Sequence, residues 1–460
     1  MREAVILTPT GCIGNRGIHR ESFLRALDEV KPDVLAMDGG SLDPGPYYLG
    51  AGQAHSPVLN VKWDLELLLT QAVPRKIPII VGTAGGSGAK QHVDTTIEFI
   101  KEIAAARKVH LKVAVIYADV DPKYLRARAE KEIINGVDHA QVLTPAMVDE
   151  GSTIVAMMGH EPINKALDMG ADFVVAGRCS DASAIAAFPI RAGFDPGLSL
   201  HLGDILECGE AAGKEREQFL RGEDHNRIPM LGRIRDDHVL ITPMHPSLVC
   251  TPESCAAHSL YERASIYSSI FPGGVLDKRQ TRYTAEDDRT TRVMGTRFTK
   301  SSPYTVLLEG VRKVGYRAIL VFGVRTPRML AQLESILNQA REREMTTFSD
   351  VKNLQIHFHV YGRNGVLGEY EFETRPFAHE VGVVVDVIGP TQEIAHDVGQ
   401  DIRSRISFWR YEGRQTTAGN VAVPFSPSVI DAGAAYELHV FHSLPVKDGN
   451  ELFPVQMLEI

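Results

Sequence analysis

The sequence predicts an α/β protein: a doubly wound, mostly parallel sheet with an irregular insertion, followed by a smaller α+β domain of ferredoxin-like order. Three observations carry this expectation. Short apolar runs rich in Val, Ile and Ala alternate with amphipathic stretches from Ala4 to Phe188. That alternation lapses between Pro189 and Thr305, and a new strand–helix–strand pattern starts near residue 310. The chain has 460 residues, which at about 150 residues per domain exceeds one module. The expected division is 1–309, with 189–305 as an insertion or cap over the sheet's rim, and 310–460.

In order, the expected strands of the first domain are Ala4–Leu7, Val34–Met37, Ile77–Val81, Lys112–Tyr117, Ile154–Met158 and Phe173–Ala176. Glu21–Val30, Trp63–Gln71, His92–Ala106, Lys123–Ile134, Pro162–Met169 and Asp181–Phe188 carry the 3.6-residue spacing of helices between them. Continuous apolar strands separated by helices indicate a parallel sheet covered on both faces. Ligands of such sheets bind at the carboxyl ends of strands, so the six loops that follow them are expected to share one rim. In the second domain, Ala318–Val324, Leu354–Tyr361, Glu369–Glu373, Val381–Val387 and Tyr436–Phe441 read as strands, with helices at Pro327–Glu344 and Thr391–Trp409. This is the split βαβ order.

Composition narrows the function. Lys+Arg 49 against Asp+Glu 58 leaves a net charge of −9, a field that repels a phosphate backbone and excludes a dedicated nucleic-acid binder. Hydrophobic residues at 44% and charged residues at 23% suit folded domains. No apolar run approaches the roughly 18 residues of a membrane helix. Five scattered cysteines without a CxxC pair point to a reducing, cytoplasmic setting.

Candidate chemistry sits in the strand-end loops. Residues 83–89 (Thr83, Ala84, Gly85, Gly86, Ser87, Gly88, Ala89) join a strand to a helix, where free N–H groups and the helix dipole favour an anion. The spacing fits neither GxGxxG nor Walker A, so no nucleotide cofactor is expected, and position 89 breaks a GxSxG elbow. The alternative is a tight turn that needs glycine only for its backbone. His160 and Glu161 place two titratable groups side by side for acid–base work, with Asn164 nearby; alternatively Glu161 caps the helix that Pro162 opens. In 177–183, Arg178 can grip a substrate carboxylate or pair with Asp181, while Ser180 or Asp181 caps the next helix. Residues 201–209 supply His201, Asp204, Glu207 and Cys208, as a source of a base or as a solvated helix face or turn. His245, Glu253 and His258 offer donors for a divalent metal, without an established ligand spacing, in what is otherwise a capping loop. Segments 374–380 and 413–428 stand out in the second domain; the latter, with Arg414 and Asn420, reads as a substrate-closing loop or an interface loop.

The run GluProIleAsnLysAlaLeuAspMetGlyAlaAspPheValValAlaGlyArgCysSerAspAlaSer (161–183), then HisLeuGlyAspIleLeuGluCysGly (201–209), resembles the acyclic terpene utilisation (AtuA-like) family across most of residues 1–380. The segment ThrAlaGlyAsnValAlaValProPheSerProSer (417–428) is similar to that family's small partner domain, here fused. The resemblance implies catabolism near pathways that degrade branched acids through acyl-CoA intermediates, and it supplies no mechanism.

The expectation is therefore a catabolic enzyme acting on a small carboxylate or CoA ester, a lyase, hydratase or isomerase. His160 or Glu161 would be the base, Asp181 or Glu207 the partner, and Arg178 with the 83–89 loop the acid's anchor. The alternatives are a metal-dependent hydrolase using 244–262 and a non-catalytic ligand-binding or scaffold subunit, which would tolerate loss of His160 and Glu161. A homo-oligomer without nucleic-acid or membrane partners is expected.

Overall fold

The computed structural model describes residues 2–15, 17–216, 227–261, 263–373 and 378–460. The chain forms two units, Met1–Val311 with Leu438–Ile460, and Arg312–Glu437. In the first unit β1 (Glu3–Thr8), α1 (Arg20–Val30), β2 (Val34–Asp38), α2 (Pro46–Ala51), α3 (Val58–Ala72), β3 (Ile79–Gly82), α4 (Lys90–Arg107) and β4 (Lys112–Ile116) come first. Then follow α5 (Pro122–Lys131), α6 (Pro145–Glu150), β5 (Thr153–Ala156), α7 (Glu161–Asp168), β6 (Phe173–Ala176), α8 (Asp181–Arg191) and α9 (Pro196–Leu206). The remainder is mostly strand: β7 (Lys214–Glu215), β8 (Met230–Arg235), β9 (Val239–Pro243), β10 (Leu248–Val249), α10 (Pro252–His258), β11 (Ser268–Phe271), β12 (Gly274–Asp277), β13 (Arg282–Ala285), β14 (Thr291–Met294) and β15 (Arg297–Lys300).

The central strands are fully buried apolar runs, which is why they pair in parallel: β1 with β2, β2 with β3, β3 with β6 and β6 with β4. Antiparallel strands extend this centre on both sides, β8, β9, β14 and β13 beyond β1, and β20 (Val455–Glu459, from the end of the chain) beyond β4. The ten-stranded sheet is thus mixed. Its helices start where short polar side chains meet proline: Asp121, Thr144 and Asp195 accept the backbone N–H of Lys123, Met147 and Leu198, each just before a Pro-initiated first turn. α8 and α9 are buried along almost their whole length, and they approach closely because Gly203 has no Cβ, which would lie 2.2 Å from the Ala182 carbonyl oxygen. The segment that reads as a solvated helix face is therefore an interior helix.

β16 (Tyr304–Val324) leaves the first unit after pairing with β5. The second unit continues with α11 (Pro327–Leu330), α12 (Leu333–Thr347), β17 (Gln355–Tyr361), β18 (Val381–Gly389), α13 (Gln392–Phe408) and β19 (Val429–Val446). Its strand order is β17-β18-β16-β19, and its core joins Leu320, Phe322, Val383 and Val385 of the sheet with Leu333, Leu337, Val398 and Ile402 of the helices. No helix among the described residues is long and apolar enough to cross a membrane.

Four expectations are corrected. The strand expected at Ile154–Met158 does not enter the parallel sheet: β5 pairs antiparallel with Leu308–Val311 of β16, a partner that local periodicity does not reveal. The 189–305 segment supplies four strands that extend the main sheet, rather than only a cap over its rim. Residues 369–373 form no strand, because Gly368–Tyr370 winds into a 3-10 turn. The chain's end, Leu438–Ile460, belongs with the first unit rather than with Arg312–Glu437. Positions 374–377 of the 374–380 segment lie outside the described residues.

Candidate functional site

The loop after β1, the loop after β2, the start of α8 and the end of α9 enclose a cavity of about 560 Å³. Asp38, the last residue of β2, reaches it from the sheet; Asp181 reaches it as the first residue of α8, and Glu207 from the C-cap of α9. Cys12, His55, Cys208, His258 and Tyr261 line the remaining wall.

Of the five carboxyl residues on the lining, which also include Asp43 and Glu210, these three sit in unequal environments. Asp38 is 6% exposed; its Oδ2 accepts the Gly40 N–H at 3.1 Å, and its Oδ1 has no hydrogen-bond partner among the described residues. Burial, reinforced by the Asp181 charge, pushes its pKa well above the usual carboxylate range. Burial, then the charges of Asp204 and Asp181, does the same for Glu207, although Arg263 donates to it at 3.2 Å. Asp181 is raised by burial too, but Arg178 donates to its Oδ1 at 3.1 Å and favours the ionised form. The guanidinium bond thus favours the charged form of Asp181 more directly than that of Asp38. Burial lowers the pKa of His55 and His258, leaving both rings neutral, with His258 stacked on Tyr261 at 5.7 Å. Two acids whose charged forms burial opposes, beside a third whose charged form a guanidinium favours, make an arrangement that can donate and accept protons within one hollow.

Of the residues expected from the sequence, Asp181, Glu207 and His258 meet on this cavity. Arg178 stands behind it, 5% exposed, with Nε and Nη2 donating to Glu309 at 2.6 and 3.3 Å. It is an internal ion pair rather than an open clamp for a substrate acid. Ser180 occupies the N-cap of α8 without a side-chain cap, contrary to expectation. The 83–89 loop is not part of the lining. Its glycines serve close backbone packing: Gly86 and Gly88 have φ of 115° and 68°, and a Cβ on Gly88 would lie 2.3 Å from the Arg178 nitrogen. Thr83, also at positive φ (43°), ties this loop to Cys179 by accepting its N–H and donating to its carbonyl. The N–H groups of Thr83, Ala84 and Gly86 are spent on carbonyls within the protein.

His160 and Glu161 form a separate cluster. Tyr304 donates to Glu161 at 2.9 Å, His160 lies 3.6 Å from the same carboxylate, and Asn164 sits 3.3 Å from its other ring nitrogen. They diverge from the expected rim because β5, which aims them, left the parallel sheet. His245, Glu253 and His258 do not converge: among the described residues no group of three His, Cys, Asp or Glu side chains is arranged to hold a metal. His245 instead accepts the Ser247 N–H at 3.2 Å. In the second unit, Arg414 donates to the carbonyls of Phe408 and Trp409, and Asn420 to those of Ile406 and Trp409, so both order the end of α13. Asp38 is the residue that motif reading missed; its signal was the AspGlyGly that ends the second strand.

Fold and site together define an α/β protein with an acid-lined cavity at strand ends. Residues 55–424 match the family described as Acyclic terpene utilisation family protein AtuA. The chain belongs to that family, as the 161–183 and 201–209 segments led us to expect, and the family's terpene-utilisation description is consistent with a catabolic role. Comparison with curated proteins and with solved structures finds no match.

Proposed function

We propose that the chain is a catabolic enzyme that moves a proton at, or adds or removes water beside, the carbonyl of a small acyl derivative, a lyase, hydratase or isomerase reaction. The observation that carries this is the convergence of Asp38, Asp181 and Glu207 on one cavity. Asp181, ionised against Arg178, is the base. Asp38 and Glu207, neutral in the same hollow, donate to the oxygen on which charge develops, since preorganised donors stabilise such an oxyanion best in a dry site. The charges of Asp181 and Asp43 on this lining disfavour a free carboxylate, so a thioester or other uncharged carbonyl group suits the reacting end better than the free acid. A volume of about 560 Å³ falls in the range of small-molecule sites. In the second unit, the order β17-β18-β16-β19, with α11 and α12 after the first strand and α13 after the third, supports the ferredoxin-like reading.

The test follows solvent deuterium into, or water across, a panel of acyl thioesters by NMR. Asp181→Asn is expected to lower turnover by roughly 10²–10⁴-fold, with smaller losses for Asp38→Asn and Glu207→Gln. Wild-type turnover in all three variants refutes the assignment.

A further inference from the structure

Behind the cavity wall lies a chain of charge that the acid–base reading does not use. Arg178 turns its Nε–Nη2 edge to Glu309, a residue of β16 that is 131 positions away and 6% exposed. The remaining nitrogen, Nη1, donates to Asp181 Oδ1 at 3.1 Å and to the Cys179 carbonyl at 3.0 Å, with Thr83 Oγ1 at 3.4 Å. A guanidinium binds a carboxylate most strongly through two parallel N–H groups. Here that bidentate edge is given to a residue outside the lining, and the residue on the cavity receives one nitrogen only.

We propose that Glu309 is a positioning residue for Asp181: by occupying the bidentate edge of Arg178 it limits Asp181 to a single bond through Oδ1 and leaves Oδ2 available to the cavity. This rests on the reading of Asp181 as base, and adds a residue that never touches substrate. Without Glu309, the forked edge is free to turn to Asp181, which would engage both carboxylate oxygens and weaken it as a base. The lost negative charge acts in the same direction, because Glu309, like Asp43, opposes ionisation of Asp181. The other charged groups felt at this position are Arg178, Asp38 and Glu207, with Arg263 from the segment after α10. The nearby thiols of Cys12 and Cys179 are pushed up and stay neutral.

The experiment reads Asp181 without any substrate. Full-length protein carrying carboxyl-¹³C aspartate is titrated by NMR, with the Asp181 signal identified by its loss in Asp181→Asn. Glu309→Gln is expected to move the Asp181 midpoint down by about one pH unit or more, while Glu98→Gln, on the exposed face of α4, leaves it in place. An unmoved midpoint in a folded Glu309→Gln protein overturns the proposal. Because loss of the Glu309 charge lowers the midpoint by itself, Glu309→Asp separates positioning from charge, and it also serves if Glu309→Gln does not fold. It keeps the charge but, one methylene shorter, loses one of the two Arg178 bonds; a downward shift supports positioning and an unmoved midpoint overturns it. Full turnover by Asp181→Asn would refute the catalytic reading separately, because the titration is independent of turnover.

Discussion

Acidification is expected to unfold the first unit through His201. The ring is fully buried in α9, with Nδ1 2.6 Å from Thr296 Oγ1 and Nε2 3.0 Å from Ser259 Oγ. Tyr283 Oη also lies 3.0 Å from Nε2, and Thr281 Oγ1 lies 2.8 Å from Thr296 Oγ1, so three hydroxyl groups hold the neutral ring in place of water. Burial, the largest cause, depresses the pKa from 6.5 to about 4. A depressed histidine contributes stability that is present above pH 6.5 and lost as pH falls through 4, about 3 kcal/mol in full and about 2.5 kcal/mol between pH 7 and 4.5. His201→Gln offers an amide N–H to Ser259 and a carbonyl to Thr296 without titrating. Urea unfolding of both proteins, followed by hydrogen exchange in the 196–206 helix, should show the wild-type advantage shrinking by about 2.5 kcal/mol over that interval. Parallel stability–pH curves would show that burial does not depress His201, and would refute the reasoning.

Other expectations test separate parts of the molecule. Asp64, which accepts the N–H groups of Gly14 and Ile18 and is pushed up to about 6 by burial, acts with the opposite sign. Its contribution is complete below pH 3.8 and lost as pH rises through 6, so Asp64→Asn should remove a dependence of about 2–3 kcal/mol, measurable by urea melts at pH 4 and 7. Gly40→Ala places a Cβ 2.1 Å from the Gly86 carbonyl oxygen at φ 143°, whereas Gly45→Ala meets nothing within 4 Å. Thermal melts should show the first costing about 2–4 kcal/mol and clearly more than the second. In the second unit, Asn420→Ala removes one donor each from the Ile406 and Trp409 carbonyls, which keep the Trp409 N–H and Arg414 respectively, and should cost about 1–2 kcal/mol. A loss below about 0.5 kcal/mol would mean that the remaining donors suffice for both carbonyls.

The sequence by itself determined what is local. Apolar runs at 34–37, 112–117 and 173–176 became buried strands, and capping residues set the starts of helices such as α5 and α9, because hydrophobic period and cap chemistry act over a few residues. It also carried the family, and it brought Asp181 and Glu207 forward as candidates. What it could not contain was pairing across distance. β5 found Leu308–Val311 instead of a parallel neighbour, which carried His160 and Glu161 away from the cavity. Glu309 took the guanidinium edge that a substrate acid would have needed. Asp38, marked only by AspGlyGly, became a cavity acid because β1, β2 and α8 converge there. The physical reason is common to all three. A side chain's proton affinity and orientation come from whatever charge and dielectric surround it, and those neighbours lie tens to hundreds of residues away in the chain.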